Sequence, residues 1–429
     1  MTRGPVRGLL ALIVIGALLA VLIAWLNLRG EDALTADTGG APSPEQIARG
    51  AYLARAGNCM GCHTERGGAA YAGGRGVPTP FGTVFAPNLT PDPHGIGNWT
   101  AAEFWRALHN GRARDGRLLY PAFPYPNYTR VTRIDSDAIF AYLRSLPPST
   151  QTNRPNTLQF PFDQQAALAV WRALYFRPVQ EGPDVDAARG PGWQRGAYLV
   201  EGLGHCNACH ASRNALGATA SPLDLAGGLI PVQNWYAPSL ASKHEAGVAD
   251  WSDAHVVELL KSGVSARGAV MGPMSEVVSG STQHLSEPDL RAMASYLKAL
   301  PPPSTDAAAA PAPSKAAAGG GPGAKLYDQH CAGCHGDEGE GVPGTYPALA
   351  ASRAVTMHTP ANLVHMVLEG GFPPATAGNP RPYGMPPFAT VLSNDEVAQL
   401  LTHVRSSWGN QGSPMSALDV IKFRSVSAR

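Results

Sequence analysis

The sequence predicts a mainly α protein: three tandem copies of one small helical unit behind a single N-terminal membrane-crossing helix. Three observations carry that expectation. The run 8–28, GLLALIVIGALLAVLIAWLNL, holds no charge and is long enough for one crossing of a bilayer. Beyond it, one helical pattern recurs three times with the same glycine and proline punctuation. All six cysteines fall in three copies of Cys-x-x-Cys-His, namely CMGCH at 59–63, CNACH at 206–210 and CAGCH at 331–335.

The first 28 residues read as an uncleaved anchor. Arg3 and Arg7 precede the apolar run, and Glu31 and Asp32 follow it, which places the N-terminus in the cytoplasm and the rest outside. A cleavable signal peptide usually has a shorter apolar region and a small-residue cleavage site, for which Ala36 is a weak candidate here. The expected location is the bacterial cytoplasmic membrane, with one crossing and the remaining chain on the periplasmic side. Residues 29–45, rich in Gly, Ala, Pro and Asp, read as a tether to the first domain.

Each repeat unfolds in the same order. A leading helix opens on glycine: GAYLARAGNC from Gly50, GAYLVEGLGHC from Gly196 and GAKLYDQHC from Gly323. The cysteine motif and a proline-bearing loop follow: FAPNLTPD, YAPSLASK and TYPALAAS. A middle helix then ends at glycine in WTAAEFWRALHNG, WSDAHVVELLKSG and HTPANLVHMVLEGG. A closing helix completes the unit, stopped by paired prolines in the first two copies, DSDAIFAYLRSLPP and SEPDLRAMASYLKALPP, but not in SNDEVAQLLTHVRSSW. The domains expected are 46–148, 191–301 and 322–408. The linker 149–190 contains FPFDQQAALAVWRALYF, read as a helix packed against a neighbouring domain. The Ala/Pro/Gly linker 302–321 is low in complexity and predicts a mobile third domain. The tail 409–429 shows no pattern.

Composition fits small domains. Forty-eight glycines and 39 prolines in 429 residues suit short helices joined by ordered loops rather than a long bundle. With 33 Lys and Arg against 32 acids, the net charge of +1 gives no reason to expect a nucleic-acid partner.

The cysteine motif carries the chemistry. Two thiols two residues apart can add to the two vinyl groups of one haem, and the next histidine then sits under the iron. Cys59 and Cys62, Cys206 and Cys209, and Cys331 and Cys334 would carry thioethers, with His63, His210 and His335 as proximal ligands. A redox dithiol needs neither the histidine nor three copies. A zinc site needs four ligands, while these pairs lie more than a hundred residues apart. The expected cofactor is therefore covalent haem c, three per chain.

A methionine on the far side of the iron raises its potential relative to a second histidine. VMGPMSE offers Met271 and Met274, and PYGMPPF offers Met385. Met357 and Met366 read as core residues. In the first repeat LYPAFPY puts Phe123 at the aligned place, and no methionine occurs between Met60 and Met271. A phenyl ring cannot coordinate iron. That leaves a second histidine (His94 or His109), another donor such as Tyr125, or no strong sixth ligand. His109 reads as a surface residue and His94 as a turn residue in a loop more able to bend.

From about 46 to 408 this order of elements resembles the class I cytochrome c fold, three times over. The stretches TPFGTVFAPNLTPDPHGIGNWT, RGAYLVEGLGHCNACHASRNALGA and GPMSEVVSGSTQHLSEPDLRAMASYLKALP are similar to the membrane-anchored triheme cytochrome c subunits of bacterial periplasmic dehydrogenases. Those subunits serve alcohol, gluconate, sorbitol and aldehyde oxidation. The resemblance implies Met274 rather than Met271 as ligand. It also implies that backbone carbonyls near Pro87, Pro238 and Pro347 accept from the proximal imidazoles. Substrate oxidation would fall to a partner subunit holding a quinone, flavin or molybdenum cofactor, with ubiquinone or another respiratory acceptor downstream. The chain itself shows no GxGxxG fingerprint and no Ser-His-acid pattern, so it reads as an electron carrier and not an enzyme. A multihaem peroxidase, a thiosulfate-oxidising cytochrome and a terminal-oxidase subunit are the competing classes.

Overall fold

The computed structural model describes residues 4–31, 33–34, 40–179, 189–219, 224–303 and 321–424. Helix dominates, and the strands are short antiparallel pieces, the longest being Gly76–Thr79 against Gly82–Phe85. The chain divides into two compact units. One comprises Met1–Ala54, Cys62–Val185 and Ala215–Ala218; the other comprises Arg55–Gly61, Asp186–Asn214 and Thr219–Arg429.

The three-helix pattern is present in each copy. Leading helices are Pro44–Ala56, Pro191–Ala197 and Pro322–His330. Middle helices are Ala101–Asn110, Asp253–Ser262 and Ala361–Glu369. Closing helices are Arg133–Arg144, Glu287–Lys298 and Asn394–Ser406. Hydroxyl side chains of Thr132, Ser286 and Ser393 cap the closing helices, each accepting from a backbone N–H three residues on. The middle helices stop at Gly111, Gly263 and Gly370, with φ of 60°, 80° and 65°, where a side chain would be strained.

One crossing is built three times. A Cβ on Gly50, Gly196 or Gly323 would overlap the carbonyl oxygen of Ala138, Ala292 or Gln399 in the closing helix. It would also stand 2.8, 2.8 and 2.9 Å from the Cβ of Tyr142, Tyr296 and His403, one turn later. Glycine therefore lets the leading and closing helices cross at backbone contact, and leucines such as Leu53, Leu143, Leu199, Leu290 and Leu400 fill the buried space around them. Next to the glycine, Arg49 binds Asp135 at 2.5 Å and Arg195 binds Asp289 at 2.8 Å. The third copy has Pro322 at that place and lacks the pair.

The second copy differs by one residue. Gly50 precedes its first cysteine by nine positions and Gly196 by ten. The helix takes up the extra residue as a π-helical turn over Tyr198–Leu203. That turn buries Glu201, which accepts a hydrogen bond from the Tyr296 hydroxyl at 2.5 Å.

The N-terminal helix, Gly4–Leu28, has 25 residues, about 37 Å at 1.5 Å per residue. It is the one helix among the described residues long and apolar enough to cross a membrane. Its far end is no tether. Asn27 is buried and donates to Ile23 and Ala169 carbonyls at 2.9 Å each, while Arg172 Nε donates to Asn27 Oδ1 at 2.9 Å. Arg112 holds the Asn27 carbonyl at 3.1 Å and pairs with Glu31, and Asn110 holds the Gly30 carbonyl at 2.9 Å. Carbonyls that end a helix without partners are thus satisfied by the first repeat. Within the expected 29–45 tether, residues 29–31 belong to this clamp; Asp32 and residues 35–39, with the cleavage candidate Ala36, lie outside the described residues.

The linker helix, Gln165–Tyr175, packs on this membrane-length helix as well as on the first repeat. Gln165 pins it to the first repeat through the Leu118 backbone at 2.7 and 3.2 Å. Trp171 Nε1 also donates to the Leu216 carbonyl at 2.9 Å, within the same compact unit. Truncating Arg172→Ala should cost about 1–3 kcal/mol by leaving the buried Asn27 oxygen without its donor. It should also expose the chain near residue 30 to protease, and a cleavage pattern unchanged from the parent would count against the clamp.

The expected mobility of the third domain is not what the second unit shows. Asn362 exchanges two hydrogen bonds with the Tyr236 backbone, at 2.9 and 2.8 Å. Arg353 reaches Asp250 at 2.6 Å and the Gly247 carbonyl at 2.8 Å, and His365 stacks on Trp235 at 4.8 Å. These partners lie far apart in sequence, so linker composition could not reveal them; residues 304–320 of the linker lie outside the described residues. The tail also contributes, since helix Ala417–Phe423 inserts Val420 and Phe423 into the third core.

Candidate functional site

Each cysteine motif ends in a short helical turn that presents its histidine: Cys59–His63, Asn207–His210 and Ala332–His335. The imidazole Nδ1 lies 2.8 Å from the Pro87 carbonyl in the first copy, 2.7 Å from Pro238 in the second and 2.9 Å from Pro347 in the third. A carbonyl only accepts, so Nδ1 carries the proton and the lone pair sits on Nε2, the form a metal-ligating histidine needs. Burial pushes all three imidazoles towards the neutral form, more than the carbonyl bond pushes back. The three proline carbonyls lie where the resemblance to class I cytochromes c implies them.

A second strut leaves no mark in the sequence pattern. Gly73, Gly227 and Gly341 donate their N–H to the carbonyls of His63, His210 and His335 at 2.8, 2.9 and 2.7 Å. All three have positive φ, of 80°, 85° and 65°, and each presses on its proline loop so closely that a Cβ would collide with backbone. Each histidine is thereby gripped at ring and backbone by the same loop. The distance from histidine to glycine is ten, seventeen and six residues, so no periodicity announces it.

Two of the thiols lack the depressed pKa that a redox dithiol needs. Burial raises Cys206 to about 12 and Cys331 to about 11. No disulfide joins any of the six, and the second cysteine of every motif, Cys62, Cys209 and Cys334, is exposed. Among the described residues no three His, Cys, Asp or Glu side chains converge as metal ligands would. Imidazole lone pair, paired thiols and buried loop together fit a haem c.

The methionines follow the middle helices at comparable distances. Counting from the left-handed glycine that ends each middle helix, Met274 comes eleven positions on and Met385 fifteen, and Phe123 comes twelve; Met271 comes only eight. Met274 is the second residue of helix Pro273–Gly280, which starts from Gly272 packed on the Trp235 ring. Met385 is held through a two-hydrogen-bond bridge with Gly371, at 2.8 and 3.0 Å. Met357 is buried in the third domain, a core residue as expected.

His109 is a correction. It is buried and stacks on Trp105 at 4.4 Å, because the last turn of its helix faces inward, where the third copy puts the core residue Leu368. His94 is half exposed, with Nδ1 on Asp92 Oδ1 at 2.9 Å. Tyr125 is fully buried between Arg172 and Phe176, and its hydroxyl is pushed up to about 12 by desolvation.

The cytochrome c family model matches residues 47–147 and 321–408. The chain is 38% identical to the cytochrome c subunit of a quinone alcohol dehydrogenase from Gluconacetobacter polyoxogenes, over 89% of this chain and 85% of that one. It is 35% identical to the cytochrome c subunit of gluconate 2-dehydrogenase from Pantoea cypripedii, over 88% and 89%. The cytochrome subunit of fructose dehydrogenase from Gluconobacter japonicus is 32% identical, over 94% of this chain and 87% of that one. The chain belongs to the family of cytochrome c subunits of dehydrogenase complexes, electron-transfer subunits that carry haem c and leave substrate oxidation to a partner.

Proposed function

We propose that this chain carries three haems c in three tandem cytochrome domains. It takes electrons from a periplasmic dehydrogenase partner and delivers them to ubiquinone or another respiratory acceptor. The observation that carries the reading is the histidine clamp built three times, with Nδ1 on a proline carbonyl and the histidine carbonyl on a left-handed glycine. His63, His210 and His335 would be the proximal ligands, and Met274 and Met385 the sixth ligands of the second and third haems. A bound haem would supply one-electron exchange at its iron; the clamps orient the imidazoles for it, and burial keeps them neutral. Residues 8–28, within the apolar N-terminal helix, would cross the cytoplasmic membrane, with the haem domains on the periplasmic side.

Intact mass should show three haem additions on a chain that retains its N-terminus. Replacing Met274→His, or Met385→His, should lower the potential of one haem only, by roughly 0.1 V or more within the ~0.8 V range that axial ligation commands. Fewer than three haems would refute the count, and a shift produced by Met271→His instead would reassign the ligand.

A further inference from the structure

Phe123 occupies the place in the first repeat that methionine holds in the other two. Its N–H donates to the Tyr120 carbonyl at 3.0 Å, its own carbonyl accepts from Tyr125 at 2.8 Å, and its ring leans on Tyr128 at 5.3 Å. The segment is thus a tight, ordered turn, not a loop free to exchange one donor for another.

The other candidates in the repeat are held by their own packing, although the buried Tyr125 hydroxyl has no hydrogen-bond partner among the described residues. His94 lies in the loop whose Pro87 carbonyl already grips His63, so it runs on the proximal side. Its turn has a counterpart in the second repeat: the Asp92 carbonyl accepts from Gly95 and Gly97, and the Ser242 carbonyl accepts from Glu245 and Gly247. In that counterpart the histidine position is His244, in a repeat that has its methionine, so a histidine in this turn is not a substitute ligand. His109 occupies the position that holds Lys261 in the second repeat, whose ammonium donates to the Leu285 carbonyl at 2.7 Å, and buried Leu368 in the third. That position faces the closing-helix side in both. Tyr125 is wedged under Gly111, where a Cβ would come 2.5 Å from its ring, and against Phe176 at 4.8 Å.

We propose that the iron of the first haem has no sixth side-chain ligand, and that the Phe123 ring closes its far face and leaves a position for a small neutral ligand such as carbon monoxide. The proposal rests on the reading that Cys59, Cys62 and His63 hold a haem. It gives the first domain a ligand-binding role absent from the other two.

The test uses the full-length holoprotein. Peptide mapping first establishes haem on Cys59 and Cys62. Carbon monoxide titration of the reduced protein should then saturate at one equivalent per chain, and the ferric protein should show one high-spin haem in three. Cys59→Ser with Cys62→Ser should abolish the carbon monoxide uptake while two low-spin haems remain, and Phe123→Met should convert the high-spin component to low-spin. Unmodified Cys59 and Cys62 would overturn this proposal together with its parent reading. Haem at those cysteines with no carbon monoxide uptake, or uptake that survives their replacement, would overturn this proposal alone.

Discussion

Replacing both cysteines of the middle motif, Cys206→Ser with Cys209→Ser, should produce a chain with one haem fewer and a broken electron route. The double replacement removes both thioethers, and the clamp on His210 cannot by itself hold a haem covalently. On the three-haem reading the loss should appear as one missing haem in the intact mass and a fall of roughly one third in haem absorbance per chain. The second domain should suffer further, because Trp235, Tyr236 and Pro238 sit on one loop that serves both His210 and the docking of Asn362. Reduction by the partner dehydrogenase should drop with the haem count. An unchanged absorbance would mean that the CNACH motif does something other than hold a haem.

Gly196→Ala should destabilise the crossing of the leading and closing helices in the second repeat. The added carbon would overlap the Ala292 carbonyl and stand 2.8 Å from the Tyr296 Cβ, so the two helices must part. Overpacking of this kind costs about 1–3 kcal/mol, and a contact with backbone rather than a flexible side-chain end belongs at the upper part of that range. The control lies in the same helix. A Cβ on Gly192 would meet nothing within 4 Å, so Gly192→Ala should be neutral or stabilise by about 0.5–1 kcal/mol through helix propensity. Thermal unfolding of the two variants should therefore move in opposite directions. Equal shifts would remove the crossing as the cause.

What is legible in the sequence is local. The cysteine motifs and the glycine-stopped middle helices are short patterns, and the structure keeps each at the same element of its repeat. Met274, by contrast, lies in a helix and Met385 in a bridged loop. The proline carbonyls can be named only through the resemblance to class I cytochromes c. Gly73, Gly227 and Gly341 cannot, because the insert between histidine and glycine changes length while the hydrogen bond is kept. The clamp on the membrane-length helix is hidden for a different reason. Asn27 and Arg172 are 145 residues apart, and neither residue type signals a partner at that range. His109 reads as exposed because Lys261 at the aligned place suggests solvent, while in the first repeat the same turn buries an aromatic stack.

The two hydrogen bonds between Asn362 and the Tyr236 backbone have a kinetic meaning. Tyr236 lies two residues before Pro238, whose carbonyl orients His210, so the third domain is bolted to the proximal loop of the second. On the three-haem reading, an electron passing between these domains waits for no diffusive encounter, despite the low-complexity stretch that joins them. Transfer would then be tunnelling between docked repeats, with a rate indifferent to solvent viscosity.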